Sequence, residues 1–238
     1  MKLACASGAV GRAIESGALT QLEFLDICAR ELECDGVVLD VRHFPRTDHD
    51  YLAQVKKMAV DRGLTIAALF DPDFFSSPEA QMDALLTQVD ALGAPLLAAP
   101  LAPETAFSWN DQLERIGTAT SLAKARNVTL ALRNAPKTFA ATTHDCKRVA
   151  KEADSAWLRY GPEPGALDPA SDPRLLVADT VLLWSDAARD DDRAVAALVE
   201  VFGSFRGHLV VDDSGGSATA ASLHRAVARL RMALLNRK

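Results

Sequence analysis

Residues 61–71 read Asp61-Arg62-Gly63-Leu64-Thr65-Ile66-Ala67-Ala68-Leu69-Phe70-Asp71, and they close a segment that begins at Asp48. Asp48 is placed to cap a helix over Tyr51 to Arg62, and Gly63 supplies its stop. The apolar run Leu64 to Phe70 then has the length of one buried strand. The same grammar recurs on both sides. Thr20 and Glu23 form a capping box ahead of Phe24, Leu25, Ile27, Cys28 and Leu32. Ser77-Pro78-Glu79 opens a helix that ends near Gly93.

Working outward, strands are expected at Lys2 to Ser7, Gly36 to Asp40, Leu64 to Phe70, Pro95 to Ala98, Val128 to Arg133, Ala156 to Tyr160, Thr180 to Trp184 and Gly207 to Asp212. Later helices are expected at about Trp109 to Ala125, Thr143 to Glu152, Arg193 to Phe202 and Ser217 to Leu235, with an irregular proline-rich segment from Pro162 to Pro173. Strands alternating with helices predict a parallel sheet, and eight such units predict a single α/β domain over residues 1–238, closed as a (β/α)8 TIM barrel. An open doubly wound sheet would also alternate. However, Ser7-Gly8-Ala9-Val10-Gly11 lacks the G-x-G-x-x-G spacing, so a nucleotide cofactor is not expected.

The 238 residues are 49% hydrophobic, enough for one large core, and their formal net charge is -6. An acidic chain without clustered Lys and Arg argues against a nucleic-acid partner. No apolar run approaches the roughly 20 residues of a membrane span, and no signal-peptide core is visible, so a cytoplasmic protein is expected. Cys5, Cys28, Cys34 and Cys146 form no C-x-x-C pair, and the histidines form no H-x-H or H-x-x-x-H pair. Neither a zinc site nor a redox motif is indicated.

Cys34-Asp35-Gly36-Val37-Val38-Leu39-Asp40, Val55 to Leu69, Leu85 to Leu97, and Asn127-Val128-Thr129-Leu130-Ala131-Leu132 resemble segments of the xylose isomerase-like barrel family of sugar phosphate isomerases and epimerases. The resemblance implies a site at the carboxyl ends of the strands and a divalent metal held by groups after strands five to eight. Here the fifth position is Arg133, and only Asp212 or Asp213 keeps an obvious ligand after the eighth, with Glu163 and Asp186 as substitutes. No cofactor is therefore expected, and a divalent metal would find its usual ligands missing. An arginine cannot ligate a metal, but its fixed charge can hold a carboxylate, a phosphate or a developing oxyanion.

Barrel sites are built by the loops after the strands, which makes polar strand ends the candidate residues. Asp212, Asp40 and His43 are expected to move protons, and His43 would titrate near neutrality. Arg133, Asn134, Arg159, Arg42, Asp71 and Asp213 are expected to bind the ligand, with Arg133 and Arg159 as neighbouring cations. Structural alternatives stand beside these readings: an Asp40–Arg42 pair that caps a loop, an Asp71-Pro72 turn, and a helix cap made by Ser214 or Ser217. The expected activity is isomerisation or epimerisation of a small sugar or sugar acid. The alternative is a non-catalytic barrel that binds a sugar or an anionic small molecule. Exposed helices rich in Ala and Leu would suit a homodimer.

Overall fold

A computed structural model describes residues 1–236. Eight parallel strands form one sheet in the spatial order β6-β5-β4-β3-β2-β1-β8-β7. They are β1 (Lys2–Ala6), β2 (Gly36–Asp40), β3 (Thr65–Phe70), β4 (Leu96–Ala99), β5 (Thr129–Leu132), β6 (Leu158–Tyr160), β7 (Leu182–Asp186) and β8 (His208–Asp212). The helices are α1 (Gly11–Glu15), α2 (Gln21–Arg30), α3 (His49–Asp61), α4 (Glu79–Leu92), α5 (Trp109–Ala125), α6 (Thr143–Ala153), α7 (Asp192–Val201) and α8 (Ala220–Leu235). The capping box of Thr20 with Glu23 and the Asp48 cap both form, and Gly63 takes φ +70° at the turn out of α3.

Curling the sheet divides the apolar side chains into two layers, because successive residues of a strand face opposite sides. The outer layer packs the sheet against the helices. The inner layer is built largely of small residues, among them Ala4, Ala6, Ala68, Ala98 and Ala131, with the Trp184 and Phe70 rings meeting edge-on at 5.7 Å between centroids. Alanine at these inner positions leaves room that branched residues fill in most such barrels.

The closure between β6 and β7 differs from the other strand pairs. No ladder joins them, only one parallel bridge between Tyr160 and Thr180, continued by hydrogen bonds from Val181 N to Tyr160 O and Trp184 N to Pro162 O, both 2.9 Å. The sixth unit carries no α-helix between these strands, only 3-10 turns at Pro164–Ala166 and Pro173–Asp179. Proline supplies no N–H to a ladder, so this stretch runs as loop.

Most expected boundaries move by a few residues at most, and two of the shifts matter for the site. The seventh strand runs to Asp186 rather than Trp184, which places Ser185 and Asp186 at the barrel mouth. The last helix begins at Ala220 behind a Thr219 cap instead of at Ser217, so neither Ser214 nor Ser217 caps it.

Candidate active site

Arg133 follows β5 directly and keeps its register, its N–H donating to Ala99 O at 2.9 Å. The side chain turns over the barrel axis. Nε and Nη2 donate to Glu163 Oε2 at 3.1 and 2.6 Å, and Nη2 also meets Asp212 Oδ2 at 2.9 Å. The guanidinium carbon lies 4.0 Å from the centroid of the Trp184 ring and 5.2 Å from that of Phe70. Two carboxylates and two aromatic faces thus surround one delocalised cation. The third nitrogen, Nη1, makes no hydrogen bond among the described residues. Burial works against the charge on Arg133, but Asp212 and Glu163 outweigh it and hold the pKa above the ordinary arginine value.

The chain of charges continues past Glu163. Its Oε1 accepts from Arg189 Nη2, which also meets Asp186 Oδ2 at 2.9 Å, while Arg189 Nη1 donates to Gly165 O at 3.0 Å. The result is an alternating series, Asp212–Arg133–Glu163–Arg189–Asp186, that joins the ends of β8, β5, β6 and β7. Burial would raise the pKa of Asp186, but hydrogen bonds from Ser214 and Arg189 prevail and hold it below the usual carboxylate value. Asp212 goes the other way: burial pushes its pKa up, because Arg133 is shared with Glu163 and compensates only in part. Its Oδ1 accepts the Asp213 N–H at 2.9 Å.

Asn134 fixes Glu163 through the backbone. Its Nδ2 donates to Glu163 O at 3.1 Å and its Oδ1 accepts Glu163 N at 2.7 Å, so one side chain stands in for a strand neighbour. Asn134 therefore positions a site carboxylate. Asp213 Oδ1 accepts from Gly215 N at 2.8 Å and shapes the turn after β8.

Opposite this cluster, Asp40 at the end of β2 is paired twice by Arg42, Nε at 3.0 Å and Nη2 at 2.6 Å, and it accepts the Arg42 N–H at 3.0 Å. His43 is buried, its Nδ1 3.1 Å from Ser7 Oγ, which in turn accepts Asp40 N at 2.9 Å. A Cβ at Gly11 would sit 3.1 Å from His43 Nε2, so glycine is what lets the first helix approach the imidazole. Burial lowers the His43 pKa below its ordinary value, keeping the ring neutral near pH 7.

Asp40, Arg42, His43, Arg133, Asp212 and Asp213 all border one cavity of about 410 Å³ in the mouth, with Phe70 and Trp184 in its walls. Three expected residues do not border it: Asn134, expected to bind the ligand and instead spent on the backbone of Glu163, Asp71 and Arg159. Asp71 makes the alternative turn, its Oδ1 accepting Asp73 N at 2.9 Å, and it does not border the cavity; burial raises its pKa. Arg159 sits in the middle of β6 and pairs with Asp179 at 3.5 Å, ahead of β7 and away from the mouth. The expected pair of neighbouring cations at Arg133 and Arg159 therefore does not form; the second cation of the cluster is Arg189.

The donor set does not fit a divalent ion bound between Glu163 and Asp212, because the Arg133 guanidinium occupies the space between their oxygens and satisfies them. Among the described residues, no group of three or more His, Cys, Asp and Glu side chains is placed to hold a metal. No helix of the described residues is long and apolar enough to cross a membrane.

Eight parallel strands in one curled sheet, helices packed on its outer face and polar strand ends facing one mouth define a (β/α)8 barrel. Solved structures share this fold across nearly the whole chain. D-Psicose 3-epimerase from Clostridium cellulolyticum H10, crystallised with D-tagatose, superimposes with TM-score 0.79 at 15% identity, covering 98% of this chain and 99% of that one. A xylose isomerase domain protein from Planctomyces limnophilus gives 0.71 at 11% identity, covering 99% and 97%. The probable 3-DHS dehydratase AsbF of Bacillus anthracis gives 0.78 at 13% identity, covering 97% and 99%. At these identities the likeness is one of fold. No family model matches the sequence, and no curated protein matches it.

Proposed function

We propose that the protein acts on a small neutral sugar by moving a proton at a carbon beside a carbonyl, as an isomerase or epimerase whose fixed cation is Arg133. The observation that carries this reading is the Arg133 guanidinium bridging Asp212 and Glu163 at the mouth. Removing such a proton leaves an enediolate, whose oxygen needs a positive partner already in place. Arg133 Nη1 is the donor left over for that oxygen. Asp212 is the proton-transfer group, since a carboxylate with a raised pKa holds a proton more readily at working pH. Asp40 and His43 lie across the cavity, where they can bind hydroxyls.

The charge balance favours a neutral ligand over a phosphate or a sugar acid. Glu15, Asp40, Asp212 and Asp213 border the cavity against Arg12, Arg42 and Arg133, four acids to three bases. An added anion would meet a mouth with no net positive charge.

One observation favours a second reading, a barrel that binds a sugar without turning it over. Both oxygens of Glu163 are occupied by arginines and Asp212 is paired with Arg133, so neither carboxylate of the bridge is free to complete a proton shuttle. Incubation with D-tagatose, D-fructose, D-psicose and their aldose isomers in deuterated water, followed by NMR, separates the two. Carbon-bound deuterium that disappears in Asp212→Asn supports turnover. Saturable sugar binding without deuterium uptake assigns the silent barrel, and absence of both rejects a sugar site.

A further inference from the structure

Beside the mouth lies a second cavity, of about 570 Å³, and Arg12 and Gly216 border both. Its chemistry is the reverse of the mouth. Val10, Ala13, Leu19, Ile27, Ala218 and Leu223 give it apolar walls, and no carboxylate borders it. Arg12 is its only charged neighbour, exposed and without an ion pair among the described residues, so its aliphatic stem is free to lie along an apolar ligand while the guanidinium stays in water. Arg12 N donating to Gly216 O and Ala218 N to Ala9 O, both 2.9 Å, close the backbone between the two cavities, so a ligand that fills both crosses over this rim beside the exposed Arg12 side chain. A polar, acid-rich cavity with an apolar groove at its rim matches a ligand with two unlike ends. Each is of the size that small molecules, rather than protein segments, fill.

We propose that the ligand is a neutral sugar carrying an apolar substituent, a short alkyl chain or one aromatic ring, with the sugar in the mouth and the substituent in the groove past Arg12 and Gly216. This rests on the sugar reading of the mouth and names the class of sugar derivative it takes. A free monosaccharide would leave the groove wet, and burying the substituent there adds affinity in proportion to the apolar area removed from water.

The test is calorimetric titration with the methyl, hexyl and phenyl glycosides of D-glucose, D-galactose and D-mannose, with 1-hexanol as a sugar-free control. For at least one sugar, the hexyl and phenyl glycosides should bind about tenfold or more tightly than the methyl glycoside. Ala18→Trp and Ala220→Trp, each filling the groove from an exposed position, should abolish that gain and leave methyl-glycoside affinity unchanged. Equal affinity for methyl and hexyl glycosides overturns the groove and leaves the sugar reading standing. Hexyl binding that ignores the sugar and matches hexanol overturns the proposal, and failure of every glycoside to bind overturns it together with the sugar reading.

Discussion

Arg133 and Asp212 meet at 2.9 Å across the barrel mouth, although their strands, β5 and β8, are not neighbours in the sheet. The guanidinium reaches across by lying on the Trp184 and Phe70 rings, 4.0 and 5.2 Å from their centroids, in an inner layer otherwise made mostly of small residues. The same guanidinium holds Glu163, and one buried cation thus offsets two buried carboxylates.

Removing that cation leaves Asp212 without an ion-pair partner and Glu163 with Arg189 alone. Arg133→Met is expected to cost about 3–5 kcal/mol at pH 7, the usual penalty for breaking a buried pair from one side. The deficit should shrink as the pH falls and the freed carboxylates protonate. Urea unfolding at pH 7 and pH 5 measures both effects. A loss below about 1 kcal/mol at pH 7 would mean that water reaches Glu163 and Asp212 freely.

Arg189 does different work. It ties Glu163 and Asp186 to the carbonyl of Gly165 and so fastens the loop after β6 to the end of β7, where the sheet has no ladder. Its side chain is 40% exposed, and screening limits the energy to about 1 kcal/mol. Arg189→Ala should therefore change the urea midpoint only slightly. It should raise amide exchange selectively around residues 162–166 and at the start of β7, with little change at β2 or β3.

The barrel was legible because its signals are local. The capping box of Thr20 with Glu23, the Asp48 cap, the stop at Gly63 and the apolar runs each report on a few neighbouring residues, and all of them hold. Asp40, His43, Arg133, Asp212 and Asp213 were legible as strand ends for the same reason, and they do border one cavity. Arg159 was not, because its place depends on register. Leu132 of β5 pairs with Tyr160 of β6, so the chain reaches the mouth only beyond Gly161 and Pro162, at Glu163. Arg189 gave no signal: Arg189-Asp190-Asp191-Asp192 reads as a solvated charge run, and only the fold brings its guanidinium onto Glu163 and Asp186.

His43 makes a pH prediction. Burial lowers its pKa from 6.5, so below about pH 6.5 the unfolded chain takes up a proton that the folded chain resists. Its contribution is nil above that pH and becomes destabilising as pH falls from 6.5 toward the folded value. Acidification from pH 7.5 to pH 5 should therefore lower the urea midpoint less in His43→Gln than in the unaltered protein. Equal drops in the two proteins would show that His43 protonates in the folded state without penalty.

The cation at Arg133 also makes a prediction about metals. In the unaltered protein, Glu163 and Asp212 are already satisfied by nitrogen donors, and millimolar manganese, magnesium, cobalt or zinc added after chelator treatment should leave the unfolding temperature unchanged. Arg133→Ala vacates the space between the two carboxylates and leaves them with an unmatched negative charge, the condition under which a hard divalent ion is attracted to oxygen ligands. A saturable rise in unfolding temperature with manganese is expected in that variant, following RT ln(1 + [L]/Kd), and should vanish when Asp212→Ala is added. A rise in the unaltered protein would mean that an ion displaces the guanidinium or binds at other ligands, and the fixed-cation reading of the site would fall.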